Sequence, residues 1–574
     1  MQLKNILGEL SKNQLSPQIL PPTTAGIAPE QFPGTLFFAQ NRTVAAIILV
    51  LFIAVGFALR VNQLGAESFG EDELNKLQTV EEYRTNGLSG KNGEHPFLMK
   101  GLQTVSIAGA EKLNSLLGSA ISEEAALRFP VALCGTFTAL LIFLLVNELF
   151  GRDVALVSAI FWALEPVAIG FDRIAKEDSL ALFFFLLTMF FWVRGQTTAE
   201  RGKTNWPIYV WAAAAGFGAM MASKYYPHML GVIVGYYTIF QFIPATKWRL
   251  KKVRFAKFFL IVGIVFLVLS PTILLPETWH EMLKFSFENR IGHDSYEFMG
   301  ELYQNKLSLW LAGVPWTFYY VFIAVKTSLS TLILFSLGLP LIFRRKLGDG
   351  RFLIFFWALM WFMPFTFMGG KFTRYFALAE PLILITAAVG FCVSAKWLAA
   401  KFGTRARLCG ACQAIALAAV IAIPLWNSIS VGPHFRLFTN SLGGGMAAAG
   451  SYFPHDEFYD ASTHEIVKEL NAIAANGTAV ACETPALFEY YAQKAGREDL
   501  RFISLSDKRQ VASLSVGDLI VLVNGRRYRS NSAYEDYLEA KIAPVAETRI
   551  LNITSSRLYR LDEATHRHIK ELAN

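Results

Sequence analysis

Apolar residues recur along this chain in eleven stretches, each close to the roughly 20 residues that a hydrocarbon core about 30 Å thick requires of a helix. They fall at 44–61, 130–149, 154–171, 179–194, 206–222, 226–243, 258–275, 314–343, 352–368, 375–393 and 408–426. The pattern predicts a polytopic α-helical membrane protein. The polar intervals sort by charge. The connections after the fourth, sixth, eighth and tenth stretches are basic: Arg194, Arg201 and Lys203; Lys247, Arg249, Lys251, Lys252, Arg254 and Lys257; Arg344, Arg345, Lys346 and Arg351; Lys396, Lys401, Arg405 and Arg407. Basic loops mark the cytoplasmic side. The N-terminus is therefore expected inside, and everything after residue 427 on the extracytoplasmic side of the inner (plasma) membrane. Residues 1–43 are polar, carry Pro17, Pro21, Pro22, Pro29 and Pro33, and show no cleavage pattern of a signal peptide. They read as a loose cytoplasmic tail.

On this topology the outer segments are the long acidic loop 62–129, turns at 172–178 and near Lys224, the stretch 276–313 and the turn 369–374. They hold most of the charges that abut apolar helices. Such charges cost several kcal/mol unless they pair or line a wet cavity, so their gathering on one side marks a candidate site.

After residue 427 the pattern changes. Ser462-Thr463-His464-Glu465 reads as a capping box opening a helix through Ile466, Val467 and Leu470. Strand-like runs at 478–482, 501–505 and 517–523 alternate with helical stretches at 485–495 and 533–541. This predicts a small extracytoplasmic α/β domain over 427–574, beyond a transmembrane catalytic domain over 44–426. It has no Gly-x-Gly-x-x-Gly or P-loop to bind a nucleotide. The Asn-x-Thr triplets at Asn41, Asn476 and Asn552 carry no weight, because such triplets arise readily by chance.

Composition agrees with a lipid solvent. Of 574 residues, 53% are hydrophobic, 48 are Phe, and only 17% are charged, too few to coat a soluble surface of that size. The net charge of +8 lies in topology-setting clusters, which argues against a nucleic-acid partner. Four of the five cysteines sit in or beside apolar segments and Cys482 stands alone, so no disulfide framework is expected. Cys409-Gly-Ala-Cys412 opens an apolar helix with no His or carboxylate nearby and reads as packing.

The ionisable residues form an ordered series: Glu71-Asp72-Glu73; Glu94-His95-Pro96-Phe97-Leu98-Met99-Lys100; Arg128-Phe129-Pro130; Asp172 to Asp178, which includes Arg173; Ser223-Lys224-Tyr225-Tyr226; Gly292-His293-Asp294; Trp316, Tyr319, Tyr320 and Lys326; and Lys371-Phe372-Thr373-Arg374-Tyr375. From about residue 44 to 450 this series resembles the dolichyl-phosphate-mannose protein mannosyltransferase superfamily, including its aminoarabinose lipid A transferase branch. In that family an acidic pair follows the first helix, matched by Asp72 and Glu73. A His-Pro-Pro-Leu-x-Lys element is matched by His95 to Lys100, with Phe97 replacing the second proline. An Arg-x-x-x-x-Asp element is matched by Arg173 and Asp178, a Lys-Tyr turn by Lys224 and Tyr225, and a late Arg-Tyr turn by Arg374 and Tyr375. The Gly443-Gly444 stretch and the α/β tail match more loosely. The resemblance implies a GT-C-like fold and transfer of a sugar from a polyprenyl-phosphate donor.

The residue chemistry fits the same roles. Nucleotide sugars are made in the cytoplasm, so an enzyme on the outer face needs a donor that has crossed the membrane. The phosphate of a polyprenyl-phosphate sugar would be the leaving group. Lys224, Arg374, Lys371 and Lys326 are the candidate phosphate-binding cations. Asp72 is the candidate base for the acceptor hydroxyl, with Glu73 orienting it or a sugar hydroxyl. A single displacement would invert the anomeric centre. The acceptor is a hydroxyl on protein, lipid or glycan.

Other readings stay open at several positions. Glu71 to Glu73 could be a solvated helix face, and Arg173 and Asp178 could pair across one helical turn. His95 and His293 could anchor loops or touch substrate, as could Lys100, Tyr225 and Tyr375. Trp316, Tyr319 and Tyr320 suit an interfacial belt. Lys326 could reach a wet cavity, a phosphate, or snorkel. No cofactor or metal is expected. A metal-dependent oligosaccharyl transfer would draw its ligands from Asp72, Glu73 and Asp178. The rival class is a transporter of a lipid-linked or anionic substrate, though no internal repeat of the transporter kind is visible. A non-catalytic membrane scaffold is a second rival.

Overall fold

A computed structural model describes residues 36–242, 253–288, 293–344, 347–401 and 406–573. Most of the expected N-terminal tail lies outside these residues, as do the basic positions Lys247, Arg249, Lys251, Lys252, Arg345, Lys346 and Arg405. Six of the described helices are long and apolar enough to cross a membrane: Arg42–Val61, Glu123–Phe150, Glu177–Glu200, Gly350–Phe367, Glu380–Ala399 and Gly410–Val431.

The other predicted spans fall on shorter or interrupted helices. The stretch 154–171 breaks between Arg152–Leu164 and Pro166–Phe171, where Pro166 starts the second piece. The stretch 314–343 breaks between Phe318–Lys326 and Leu329–Ile342. These two breaks complete each other. The Glu165 carboxylate accepts the Ser328 N–H at 2.5 Å and the Thr331 hydroxyl at 3.1 Å, capping the second half-helix. Asn440 donates to the Ala324 and Thr327 carbonyls at 2.7 Å each, closing the first. Broken helices survive in an apolar bundle only when their freed backbone groups find such partners. The predicted spans at 206–222, 226–243 and 258–275 fall on Trp206–Ser223, on the short turn Pro227–Met229 with Leu230–Phe242, and on Phe255–Leu269 with Pro271–Leu274.

The predicted outer loop 62–129 carries two helices, Glu71–Asn86 and Phe97–Leu117. The second exposes Leu102, Val105, Leu113, Leu116 and Leu117, as a helix lying on a membrane surface would. A short antiparallel hairpin, β1 (Tyr296–Phe298) with β2 (Glu301–Tyr303), packs through Phe298 against Phe318 and Phe453.

The C-terminal domain is a five-stranded sheet: β3 (Ala479–Cys482), β4 (Arg501–Ser504), β5 (Leu519–Val523), β6 (Ala546–Ile550) and β7 (Ile553–Arg560), in the order β4-β3-β5-β7-β6. β3 is parallel to β4 and β5, and β7 is antiparallel to β5 and β6. Alternate residues of β5 serve two cores. Ile520 and Leu522 pack with Tyr534, Leu538 and Ile569. Leu519, Val521 and Val523 pack in a cluster that continues through Leu487 and Phe488 to Phe69, Leu74, Leu77, Val80 and Leu127. One apolar core thus joins the sheet to the helix Glu71–Asn86. The predicted helix after Ser462 is present as Thr463–Ile473, but Ser462 makes no side-chain cap. Its hydroxyl lies 3.0 Å from that of Ser556 on β7, so a tertiary partner replaces the capping box.

Candidate functional site

The site is built on the first turn of Glu71–Asn86. The Glu73 carboxylate accepts the Gly70 N–H at 2.8 Å and the Ala175 N–H at 2.6 Å. Arg128 meets the same carboxylate with two parallel bonds, 2.9 and 2.7 Å, and donates to the Leu64, Glu67 and Ser68 carbonyls. A forked Arg–carboxylate pair of this kind fixes geometry. The loop after the first span is tied down, and Asp72 is held in the first helical turn, where the backbone N–H dipoles favour its charged form.

Asp72 opens on a cavity of about 610 Å³, lined among others by Glu71, His95, Lys176, His293, Arg374, Tyr375, His455, Tyr459 and Arg526. Its side chain is 40% exposed and forms a tight ion pair with Lys176, with Arg374 Nη2 at 3.7 Å. Burial raises the Asp72 carboxyl, but the Lys176, Arg374 and Lys76 charges outweigh it and hold the group well below the usual carboxylate range. Burial lowers Lys176 to about 8 despite Asp72, with Lys76 and Arg374 adding to the depression.

Arg374 lies 9% exposed, its guanidinium 4.2 Å from the Phe372 ring centre. Both neighbouring carboxylates, Asp72 and Asp456, stand at 3.7 Å, beyond hydrogen-bond reach. Among the described residues this guanidinium donates no hydrogen bond.

Of the residues singled out in the sequence, the cavity brings together Asp72, His95, His293, Arg374 and Tyr375. His95 is held well below its ordinary range by burial, with the Lys76 and Lys176 charges helping and Glu177 opposing. Lys224 pairs with Asp178 at 2.5 Å, its ammonium 4.7 Å from the Tyr375 ring centre, and so supports the wall from behind. Tyr225 packs edge-on against Phe266, centroids 6.4 Å apart.

Several of the expected site residues have partners away from the cavity. Glu73 faces Arg128 and does not line the cavity. Lys326 is buried in an ion pair with Glu457 and donates to the Phe438 carbonyl at 2.8 Å. It joins chain segments and is absent from the cavity wall. Lys371 is spent on the Val314 and Met368 carbonyls. Lys100 caps the Asn92 and His95 carbonyls at 2.7 and 3.0 Å. Arg173 and Asp178 do not pair. Arg173 donates to the Arg60, Asn62 and Gln63 carbonyls at 2.8 Å each, closing the C-terminus of Arg42–Val61.

Sequence reasoning missed Lys176, whose signal was a lysine in the short turn facing the acidic pair. It also missed the C-terminal contributors His455, Tyr459 and Arg526, which no local pattern marks. Among the described residues no group of three His, Cys, Asp or Glu is gathered as metal ligands. Asp72, Glu73 and Asp178 each answer a different cation.

Residues 114–274 match the family described as dolichyl-phosphate-mannose-protein mannosyltransferase. The chain is also 27% identical over 125 residues to the putative mannosyltransferase YkcB of Bacillus subtilis, a match spanning 22% of this chain and 16% of that protein. Among solved structures it is similar to ArnT from Cupriavidus metallidurans bound to undecaprenyl phosphate, at 14% identity and a TM-score of 0.47, over 89% of this chain and 97% of that one. It is similar too to the Archaeoglobus fulgidus oligosaccharyltransferase tethered with an acceptor peptide, at 12% identity and a TM-score of 0.49, over 84% and 69%.

Proposed function

We propose that this chain is a glycosyltransferase that takes a sugar from a polyprenyl-phosphate donor and passes it, with inversion, to a hydroxyl acceptor on the extracytoplasmic face. The observation that carries this reading is Arg374. Its guanidinium lines the cavity with no hydrogen bond among the described residues, and its planar fork suits an incoming phosphate. Lys176 adds a point charge beside it. The description of the matching family supports the same donor chemistry.

In this reading the donor phosphate docks against Arg374 and Lys176. The acceptor oxygen attacks the anomeric carbon as the bond to the phosphate oxygen breaks. The leaving phosphate keeps that electron pair, and the acceptor's proton passes to Asp72. Two of the three cations that depress Asp72, Lys176 and Arg374, are those the phosphate engages, so loading the donor raises the basicity of Asp72 as it is needed. Reconstitution with radiolabelled polyprenyl-phosphate sugars and crude envelope tests this. The wild type should consume donor and label an acceptor fraction, and Asp72→Asn should fold and do neither. Movement of intact donor across the bilayer without consumption would support a transporter instead.

A further inference from the structure

β3, β4 and β5 run parallel with β3 between the other two, so chain order reverses at β3 and the three carboxyl ends share one side. In open parallel sheets ligands bind in the crevice at that reversal. Glu483 follows β3, Ser506 follows β4 and Arg526 follows β5. Ser506, Arg526 and the nearby Ser530 line the same cavity as Asp72. The binding edge of the sheet is therefore the far wall of the candidate site.

The chemistry of that wall is specific. Arg526 is committed to Asp460 through two parallel bonds and to Glu71 at 3.0 Å, so its charge is spent within the wall. The Ser506 and Ser530 hydroxyls lie 2.7 Å apart, and Ser506 donates to the Glu483 carboxylate at 2.9 Å. The His293 ring stacks on Tyr528 with centroids 4.1 Å apart. Tyr459, 5% exposed and on the cavity wall, has a buried hydroxyl with no hydrogen-bond partner. Tyr459 and Asp460 both hold left-handed backbone, φ 48° and 59°, a strain that persists where surrounding contacts enforce it. Here Asp460 anchors Arg526 and accepts the Glu71 N–H at 3.1 Å.

Charge narrows the occupant. The cavity lining carries the carboxylates Glu71, Asp72, Glu94 and Asp294 against the cations Lys176, Arg374 and Arg526, and a docked donor adds a phosphate. An anionic acceptor would enter a negative cavity. Serine hydroxyls, the half-exposed Glu71 carboxylate and aromatic rings instead match an uncharged sugar, whose hydroxyls donate to the carboxylates while its C–H face packs on a ring. Resting on the glycosyltransferase reading above, we infer that the carboxyl edge of the C-terminal sheet is an acceptor subsite, and that it takes the hydroxyl of an uncharged carbohydrate.

The test uses full-length protein in proteoliposomes with radiolabelled undecaprenyl-phosphate mannose and glucose as donors. Octyl glucoside, its 6-phosphate and a Ser/Thr-rich peptide serve as acceptor probes, and thermal stabilisation by undecaprenyl phosphate reports donor binding. The neutral glycoside should be labelled at least about tenfold better than its phosphate, the effect of about 1.4 kcal/mol. The S506A/S530A pair should raise KM for the glycoside with donor stabilisation unchanged. Glu71→Gln, which keeps the side-chain shape, should narrow the preference over the phosphorylated glycoside. Equal or better labelling of the peptide or the phosphorylated probe, or an unchanged KM in the double variant, overturns this proposal alone. A wild type that neither is stabilised by undecaprenyl phosphate nor consumes donor removes the donor reading, and this proposal with it.

Discussion

Asp72 faces two demands that pull against each other, because a base must hold a proton briefly while its cationic neighbours drive that proton off. Lys176 is the neighbour whose charge can be tuned. With its pKa lowered to about 8, mainly by burial, it is charged below that pH and loses its proton as pH rises through it. Donor capture should therefore weaken on the alkaline side, with kcat/KM falling by up to tenfold per pH unit above about 8. Lys176→Arg, which stays charged, should abolish that limb in a pH profile of donor consumption. Glu73, one residue from the proposed base, belongs to a different class. Glu73→Gln leaves the buried Arg128 without its counter-charge, a change worth about 3–5 kcal/mol. It should lower the thermal unfolding temperature sharply, whereas Asp72→Asn, at a side chain 40% exposed, should lower it less and remove transfer. The sequence shows both carboxylates side by side, but a helical turn points neighbouring side chains in different directions. Only the partner, Arg128 for one and Lys176 for the other, separates their roles.

The helix Glu71–Asn86 owes its placement to a contact made before it begins. A Cβ added at Gly70 would lie 2.3 Å from Tyr459 Cε1 and 2.8 Å from two further ring atoms. Gly70→Ala must then push the helix start away from Tyr459, carrying Asp72 with it, at about 1–3 kcal/mol of overpacking. The expected result is a fall in kcat of one to two orders of magnitude, since small misplacements of a reacting group have that effect. Restoration of turnover in Gly70→Ala with Tyr459→Leu would assign the loss to the clash, and a double variant no better than the single would assign it elsewhere. At this scale the sequence was legible where apolar runs are continuous. The runs over β3, β4 and β5 and the stretches over Pro485–Lys494 and Ser532–Lys541 are visible by eye. β6 and β7 were missed, because Ala546–Ile550 and Ile553–Arg560 mix charged and hydroxyl residues and are stabilised by pairing with each other and with β5. The breaks inside two predicted spans were missed for a similar reason. Glu165 and Asn440, which satisfy the broken ends, are separated from them by more than a hundred residues of chain.

Across the whole molecule the same feature decides what the cation at Lys326 does. A lysine in an apolar helix invites a functional reading, and its neighbours within the chain offer no partner. The fold brings Glu457 to it from 131 residues away. Glu457 in turn accepts the Phe453 N–H at 2.7 Å and the Gly450 N–H at 3.2 Å. Two and three residues further lie Tyr459 and Asp460, which reach the cavity and Arg526. The pair therefore clamps the segment before the C-terminal sheet onto the bundle. Such buried pairs contribute little net stability when complete, but losing one partner costs about 3–5 kcal/mol, and replacing both with apolar residues is often neutral. Lys326→Met alone and Glu457→Leu alone should each lower thermal stability and transfer, and the double variant should recover both. A phosphate-binding Lys326 makes the opposite forecast: the double variant would regain its stability and remain inactive. Measuring unfolding temperature and donor consumption on the three variants distinguishes a clamp from a ligand, and the geometry around Glu457 favours the clamp.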